Sequence, residues 1–214
     1  MNKISKSIDH KVRVRSHDEL EVRKYEFLEI CEILNKLGVK YFLLGGILLG
    51  AIRNKNFIPW DWDVEICVNS NEIISKFEDL LSSISNSKFK IIKYNKKVSN
   101  FKLDLVGKLP VATTKYTIMG WNHNKEKKIF WRNTLKIPDH FINNMKKIEL
   151  FDKSHFAPYP PEDYLTHQYG DWKKPIQTSN KYQYLTKKYY NRSIIGDFVL
   201  KIINSLNKIF NKSK

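Results

Sequence analysis

Residues 40–68, KYFLLGGILLGAIRNKNFIPWDWDVEICV, constrain this chain more than any other stretch of it. The apolar run 41–44 is expected to form a buried strand. Gly45 and Gly46 then turn the chain into a short apolar segment, 47–52, expected as a helix. After a basic loop, Asp61, Asp63 and Glu65 alternate with Trp62, Val64 and Ile66. Side chains on a strand alternate faces, so the three carboxylates are expected on one side, neighbours roughly 7 Å apart. Like charges placed together raise one another's pKa unless a cation sits among them. Hard divalent cations, Mg²⁺ (or Mn²⁺), take carboxylate oxygens and leave coordination positions for substrate phosphates.

The glycine pair supplies the other half of such a site. Glycine accepts the dihedrals of a tight turn and lets backbone approach a ligand closely. The start of the following helix offers free N–H groups and a partial positive charge, both suited to phosphate. Taken alone, Gly45-Gly46 reads better as part of a hydrophobic hairpin-like unit with a solvated acidic edge. Taken with the carboxylates about fifteen residues later, it reads better as a phosphate-plus-metal platform. Arg53, between helix and acidic strand, is suited to bidentate phosphate contacts.

The segment YFLLGGILLGAIRNKNFIPWDWDVEI resembles the LicD family, whose members include bacterial phosphocholine transferases and animal fukutin-related proteins. That family belongs to the nucleotidyltransferase-fold superfamily. Its signature is matched at Gly45, Gly46, Leu48, Leu49, Gly50, Arg53, Ile58, Pro59, Trp60, Asp61, Asp63 and Val64. Two positions depart: Trp62 replaces an Asp found in many bacterial members, and Glu65 stands where the last Asp is expected. A second family-like segment closes the region, with Pro160, Pro161, Tyr164, Leu165, Tyr169, Gly170, Asp171, Trp172 and Pro175 in matching places.

The resemblance implies an α/β (α+β) fold, a nucleotidyltransferase-like mixed sheet with helices packed on it. It implies a CDP-activated alcohol donor, such as CDP-choline or a CDP-alditol, and a glycan or glycolipid acceptor hydroxyl. Asp61, Asp63 and Glu65 would hold the metal, Gly45 and Gly46 would meet phosphate, and Arg53 would help to neutralise it. Asp104 sits between Leu103 and Leu105 on an apolar strand, where a carboxylate is costly to bury unless paired or metal-bound. In the superfamily a further carboxylate comes from such a neighbouring strand, which makes Asp104 the fourth catalytic and metal-site residue.

Charge adds a prediction about the ends. The chain of 214 residues carries a net +16. Residues 1–17 hold five basic and one acidic residue, and residues 173–214 hold ten and one, so the middle is near neutral. Basic ends of this kind suit a polyanion or an anionic membrane surface, or serve only as solubilising tails. The expected organisation is a mobile basic stretch at 1–15, a catalytic domain at 16–193 and a basic amphipathic helix at 194–214. Ile195, Phe198, Val199, Ile202, Ile203, Leu206, Ile209 and Phe210 would give that helix one apolar face, suited to docking on the core, on a partner or in the plane of an anionic membrane. With no secretory h-region and no apolar run long enough to span a bilayer, a cytoplasmic protein is expected, attached peripherally at the inner face of the membrane. Cys31 and Cys67 have no partner at metal-ligand spacing and are expected as buried reduced thiols. No nucleic-acid partner is expected.

Elsewhere the expectations are architectural. Ser16 and Glu19 form a capping box for a helix that Gly38 ends. Residues 70–84 read as one amphipathic helix capped by Ser70 or Asn71. A strand at 89–94 follows, and 111–138 reads as an antiparallel ribbon whose aromatics belong to the core. His123 and His140 read as structural or solvated. Pro161 suits a first helical position and Gly170 a helix end, with Tyr169 and Trp172 as weaker candidates for a nucleotide pocket. Three functions compete: phospho-alcohol transfer from a CDP donor, nucleotide transfer from an NTP, and non-catalytic binding of a membrane or polyanion.

Overall fold

The computed structural model of the chain describes residues 9–108, 114–186 and 188–189. Helix α1, His17–Lys36, starts at the expected capping box. The Ser16 Oγ accepts from the Glu19 backbone N–H at 3.3 Å, and the Glu19 carboxylate accepts from the Ser16 N–H at 2.9 Å. The helix buries Arg23, Glu26, Phe27, Ile30, Cys31 and Leu34, a stripe at helical spacing. Gly38 follows it with φ +69°, a left-handed dihedral that glycine adopts without steric cost.

The strands are β1 (Tyr41–Leu43), β2 (Asp63–Asn69), β3 (Phe89–Asn95), β4 (Lys102–Gly107), β5 (Lys115–Asn124), β6 (Ile129–Arg132), β7 (Leu135–Pro138), β8 (Lys146–Leu150) and β9 (Lys153–Ala157). Their main order is β3-β4-β5-β2-β1-β9-β8, with β6 and β7 extending from β5 as a ribbon. The pairs β2–β5 and β1–β9 are parallel and the others antiparallel, so the sheet is mixed, as expected. The 111–138 ribbon also forms as expected where it is described, with β5, β6 and β7 in antiparallel register.

Register assigns the two faces of the sheet. Leu43, Ile66, Ile118 and Leu103 are cross-strand partners in succession, as are Val64, Tyr116 and Leu105. These side chains share one face. All are buried, six of the seven completely, and burial of each such side chain is worth about 1.5–3 kcal/mol. Helix α1 covers this face, where the Tyr116 hydroxyl donates to Glu26 at 2.8 Å. The opposite face carries Asp63, Glu65 and Cys67 on β2, with Thr117, Met119 and Trp121 on β5.

The remaining helices are α2 (Gly45–Asn54), α3 (Ser70–Ser75), α4 (Phe77–Ser85), α5 (Asp139–Asn143), α6 (Pro161–Tyr169) and the single turn α7 (Lys181–Tyr184). Residues 70–84 are therefore two helices, α3 and α4, broken at Lys76. The cap of α3 is Asn69, whose side chain accepts from the N–H groups of Asn71 and Glu72, and α4 has no side-chain cap. Helix α6 has Pro161 in its first turn and ends at Gly170, φ +68°, as expected. Both cysteines are buried and free, and burial pushes the Cys31 thiol up to about 12.

At the N-terminal end, residues 9–15 dock on the loop that precedes β2. The Arg15 N–H donates to the Pro59 carbonyl at 2.9 Å, and the Arg15 side chain is buried among the carbonyls of Asp9, Lys11 and Arg13. The expected amphipathic helix at 194–214 lies outside the described residues. Among the described residues no helix is long and apolar enough to cross a membrane.

Candidate active site

The acidic row is delivered by two devices rather than one strand. Asp63 and Glu65 belong to β2, but Asp61 precedes it and is placed by a turn in which its N–H donates to the Ile58 carbonyl at 3.1 Å. The Trp62 N–H then donates to the Asp61 carboxylate at 3.0 Å. Asp61, Asp63 and Glu65 open together on a cavity of about 670 Å³, which Gly45, Gly46 and Arg53 also line. Six of the seven residues singled out in the sequence thus meet in one place.

The glycine pair stands at the start of α2, whose cap residue Leu44 makes no side-chain hydrogen bond, so the first-turn N–H groups have no side-chain cap. Gly45 has φ +62°, and a Cβ there would lie 3.7 Å from Glu65 Oε2 and 3.9 Å from the Tyr169 hydroxyl. At Gly46 a Cβ would collide with the Asp61 carboxylate. The space expected for phosphate beside Gly46 is thus shared with Asp61, and the absent side chain is what lets that carboxylate approach the helix start. Arg53 lies on the cavity wall with its guanidinium engaged: Nε donates to Asn54 Oδ1 at 2.9 Å and Nη1 to the Trp172 carbonyl at 3.2 Å.

Asp104 is not brought into the cavity. Register aligns it with Thr117, which pairs in turn with Glu65, so it shares their sheet face but sits two strands from Glu65, roughly 10 Å away. It is buried and already satisfied, accepting from the Thr117 hydroxyl at 2.7 Å and pairing with Lys102 at 3.1 Å and Lys93 at 3.9 Å.

Burial dominates the electrostatics of the row. It pushes Asp61 and Asp63 up to about 6, and each feels a neighbouring carboxylate as well. Glu65 is pushed up to about 7 by burial and then by Asp63. Lys115 opposes this at Asp63, with its Nζ 3.6 Å from the carboxylate, and it also covers the Trp62 ring at 4.6 Å. Among the described residues no three acidic, histidine or cysteine side chains converge closely enough to enclose an ion alone. Magnesium does not require that, because it is usually held by one or two carboxylates together with substrate phosphates and water. Buried carboxylates that repel one another at the wall of this cavity fit such an ion.

Several lining residues escaped sequence reasoning. Val12, from the docked N-terminal segment, forms part of the wall, and nearby His10 packs on the Trp62 ring at 4.4 Å. Arg132, Gln168, Lys181 and Tyr184 complete other sides, and Trp60, Tyr169 and Trp172 give aromatic surface. Arg132 had a signal, a charged residue at the end of the aromatic run 129–132. Trp60 belonged to the family-like signature and Tyr169 and Trp172 were the weaker pocket candidates of the sequence, whereas Val12, Gln168, Lys181 and Tyr184 carried no signal. His123 pairs with Asp139 at 3.1 Å and stacks on Phe130, a structural arrangement as expected.

The mixed sheet thus presents a short acidic row beside an uncapped glycine helix start on one cavity. The model of the LicD/FKTN/FKRP family, nucleotidyltransferase domain, matches residues 38–160, and the chain belongs to that family. An uncharacterized protein of Rickettsia prowazekii is 26% identical over 157 residues, covering 67% of this chain and 52% of its own length. The lipopolysaccharide cholinephosphotransferase LicD of Haemophilus influenzae is 44% identical over 46 residues, 22% of this chain and 16% of that protein. The human ribitol 5-phosphate transferase FKRP is 44% identical over 41 residues, 19% of this chain and 8% of that protein. The chain spans about half the length of the Rickettsia protein.

Proposed function

We propose that the protein is a metal-dependent transferase that moves a phospho-alcohol, phosphocholine or an alditol phosphate, from a CDP-activated donor to a hydroxyl of a glycan. The observation that carries this reading is the meeting of Asp61, Asp63 and Glu65 with Gly45, Gly46 and Arg53 on one cavity. Two relatives named for cholinephosphate and ribitol 5-phosphate transfer match short stretches of the chain and support this choice of cargo.

Asp61 and Asp63 are the pair that would hold Mg²⁺ (or Mn²⁺), with Glu65 beside them. The ion would offset charge on the donor's diphosphate. The uncapped N–H groups of α2 and the positive end of its dipole face the same anion. The attacking hydroxyl oxygen forms a bond to the phosphorus carrying the alcohol, the bond from that phosphorus to the bridging oxygen breaks, and CMP leaves. Glu65, two residues from Asp63 on the same strand face and open to the same cavity, takes the proton of the hydroxyl. Asp104, neutralised by two lysines outside the cavity, orients Thr117 and the sheet face and takes no part in the chemistry.

The test is CMP release from CDP-choline or CDP-ribitol in the presence of Mg²⁺ and a glycan acceptor. Release by the wild type, and its loss by at least about a hundredfold in Asp63→Asn with the fold intact, is expected. Pyrophosphate release from an NTP would assign the chain to nucleotide transfer instead, and undiminished activity in Asp63→Asn would remove the acidic row from the mechanism.

A further inference from the structure

Four arginines gather around the acidic row, and their surroundings differ. Arg15 spends its donors on three backbone carbonyls. Arg53 is bonded to Asn54 and Trp172. Arg23, almost fully buried behind Asp61 and Asp63, donates from Nε to Thr114 and lies 5.4 Å above the Phe57 ring, away from the main cavity. Arg132 alone of the four is both open to the cavity and short of partners. It is 7% exposed, donates from Nη2 to the Phe101 carbonyl at 3.3 Å, and leaves its buried Nε with no acceptor.

No carboxylate forms an ion pair with Arg132 among the described residues. The nearby Asp104 is taken by Lys102 and Thr117. The charges of Glu65 and Asp104 act on the guanidinium only from a distance, and a buried guanidinium short of acceptors gains most from an anion that meets it directly. Its position is fixed in advance. Arg132 is the last residue of β6 and pairs with Leu135 across the two-residue turn Asn133-Thr134. Asn133 adopts φ +51° there, and its side chain donates to Asn100 Oδ1 at 3.2 Å, tying the turn to the loop before β4.

We propose that Arg132 is an anion-binding residue of the cavity, and that it holds one phosphate of a diphosphate ligand from the β6–β7 ribbon while α2 serves the other. Its planar fork matches two phosphate oxygens at once, which a single ammonium does not. The inference rests on the reading of the cavity as a diphosphate site.

Binding of inorganic pyrophosphate, CDP and CMP, each with Mg²⁺, measured by calorimetry on the full chain, tests it. Arg132→Met is expected to weaken pyrophosphate and CDP by about tenfold or more while CMP changes by less than about threefold. Arg132→Lys, which keeps the buried charge, is expected to restore part of the loss, and it supplies the comparison if Arg132→Met is unstable. Unchanged CDP and pyrophosphate affinity in these variants overturns the role of Arg132 and leaves the proposed function standing. Equal weakening of CMP and CDP also overturns it, by making Arg132 a scaffold residue. A wild type that binds neither pyrophosphate nor CDP overturns both readings together.

Discussion

Gly46 and Gly50 stand four residues apart in α2, yet their missing side chains serve different ends. A Cβ at Gly46 meets the tip of the Asp61 side chain, whereas one at Gly50 meets backbone, the Asn56 carbonyl among it and the Ile58 nitrogen at 3.1 Å. A side-chain tip can swing away, but backbone cannot without unpacking the loop. Gly46→Ala is therefore expected to change stability by less than about 1 kcal/mol while displacing Asp61 and weakening Mn²⁺ or donor binding at least about tenfold. Gly50→Ala is expected to cost about 1–3 kcal/mol through strain alone. Thermal unfolding alongside Mn²⁺ titration separates the two, and a Gly46→Ala protein that binds as the wild type does would show that Asp61 does not need that approach.

Elements with a strong local code were legible in the sequence, and elements set by distant contacts were not. The Ser16–Glu19 box, Gly38, Pro161 and Gly170 each act through neighbouring backbone, so the ends of α1 and α6 fell where expected. The 70–84 periodicity is real, but it runs across two helices, because the apolar faces of α3 and α4 are met by different parts of the core. Asn69 was overlooked as a cap because it also ends β2, with a residue of strand on one side and helix on the other. Removing that cap in Asn69→Ala frees two N–H groups and is expected to cost about 1 kcal/mol in a denaturant titration with unchanged slope. A neutral result would mean that water replaces the Asn69 side chain. The site was legible to the same degree: Asp61, Asp63, Glu65, Gly45, Gly46 and Arg53 lie within one short stretch, whereas Asp104 lies on another strand, outside the cavity and paired with two lysines. Arg132, Val12 and Lys181 reach the cavity only through the tertiary fold.

Across the whole molecule, a net charge of +16 surrounds three carboxylates that burial holds above their ordinary values. The sign of their effect on stability follows. A carboxyl whose pKa is raised by folding binds more protons in the folded than in the unfolded chain, between about pH 4 and pH 7, so stability falls as pH rises through that window. The metal-free protein is thus expected to unfold at lower temperature at pH 8 than at pH 5, as far as these groups decide it. Asp63→Asn should flatten that fall, and Mg²⁺ should raise Tm at pH 8 far more than at pH 5, where protons compete for the oxygens. Parallel pH curves for the wild type and Asp63→Asn, measured by calorimetry, would contradict this assignment.

The family match ends at residue 160 and begins at 38, but the cavity wall is made partly by Val12 on one side of that range and by Tyr169, Trp172, Lys181 and Tyr184 on the other. On the proposed reading, the acidic row and part of the ligand envelope therefore lie in different stretches of the chain. Substitution or exchange of the outer segments can redraw the shape of the cargo that fits while the acidic row stays untouched. In such a layout, cargo preference can drift between relatives while the chemistry of transfer stays the same.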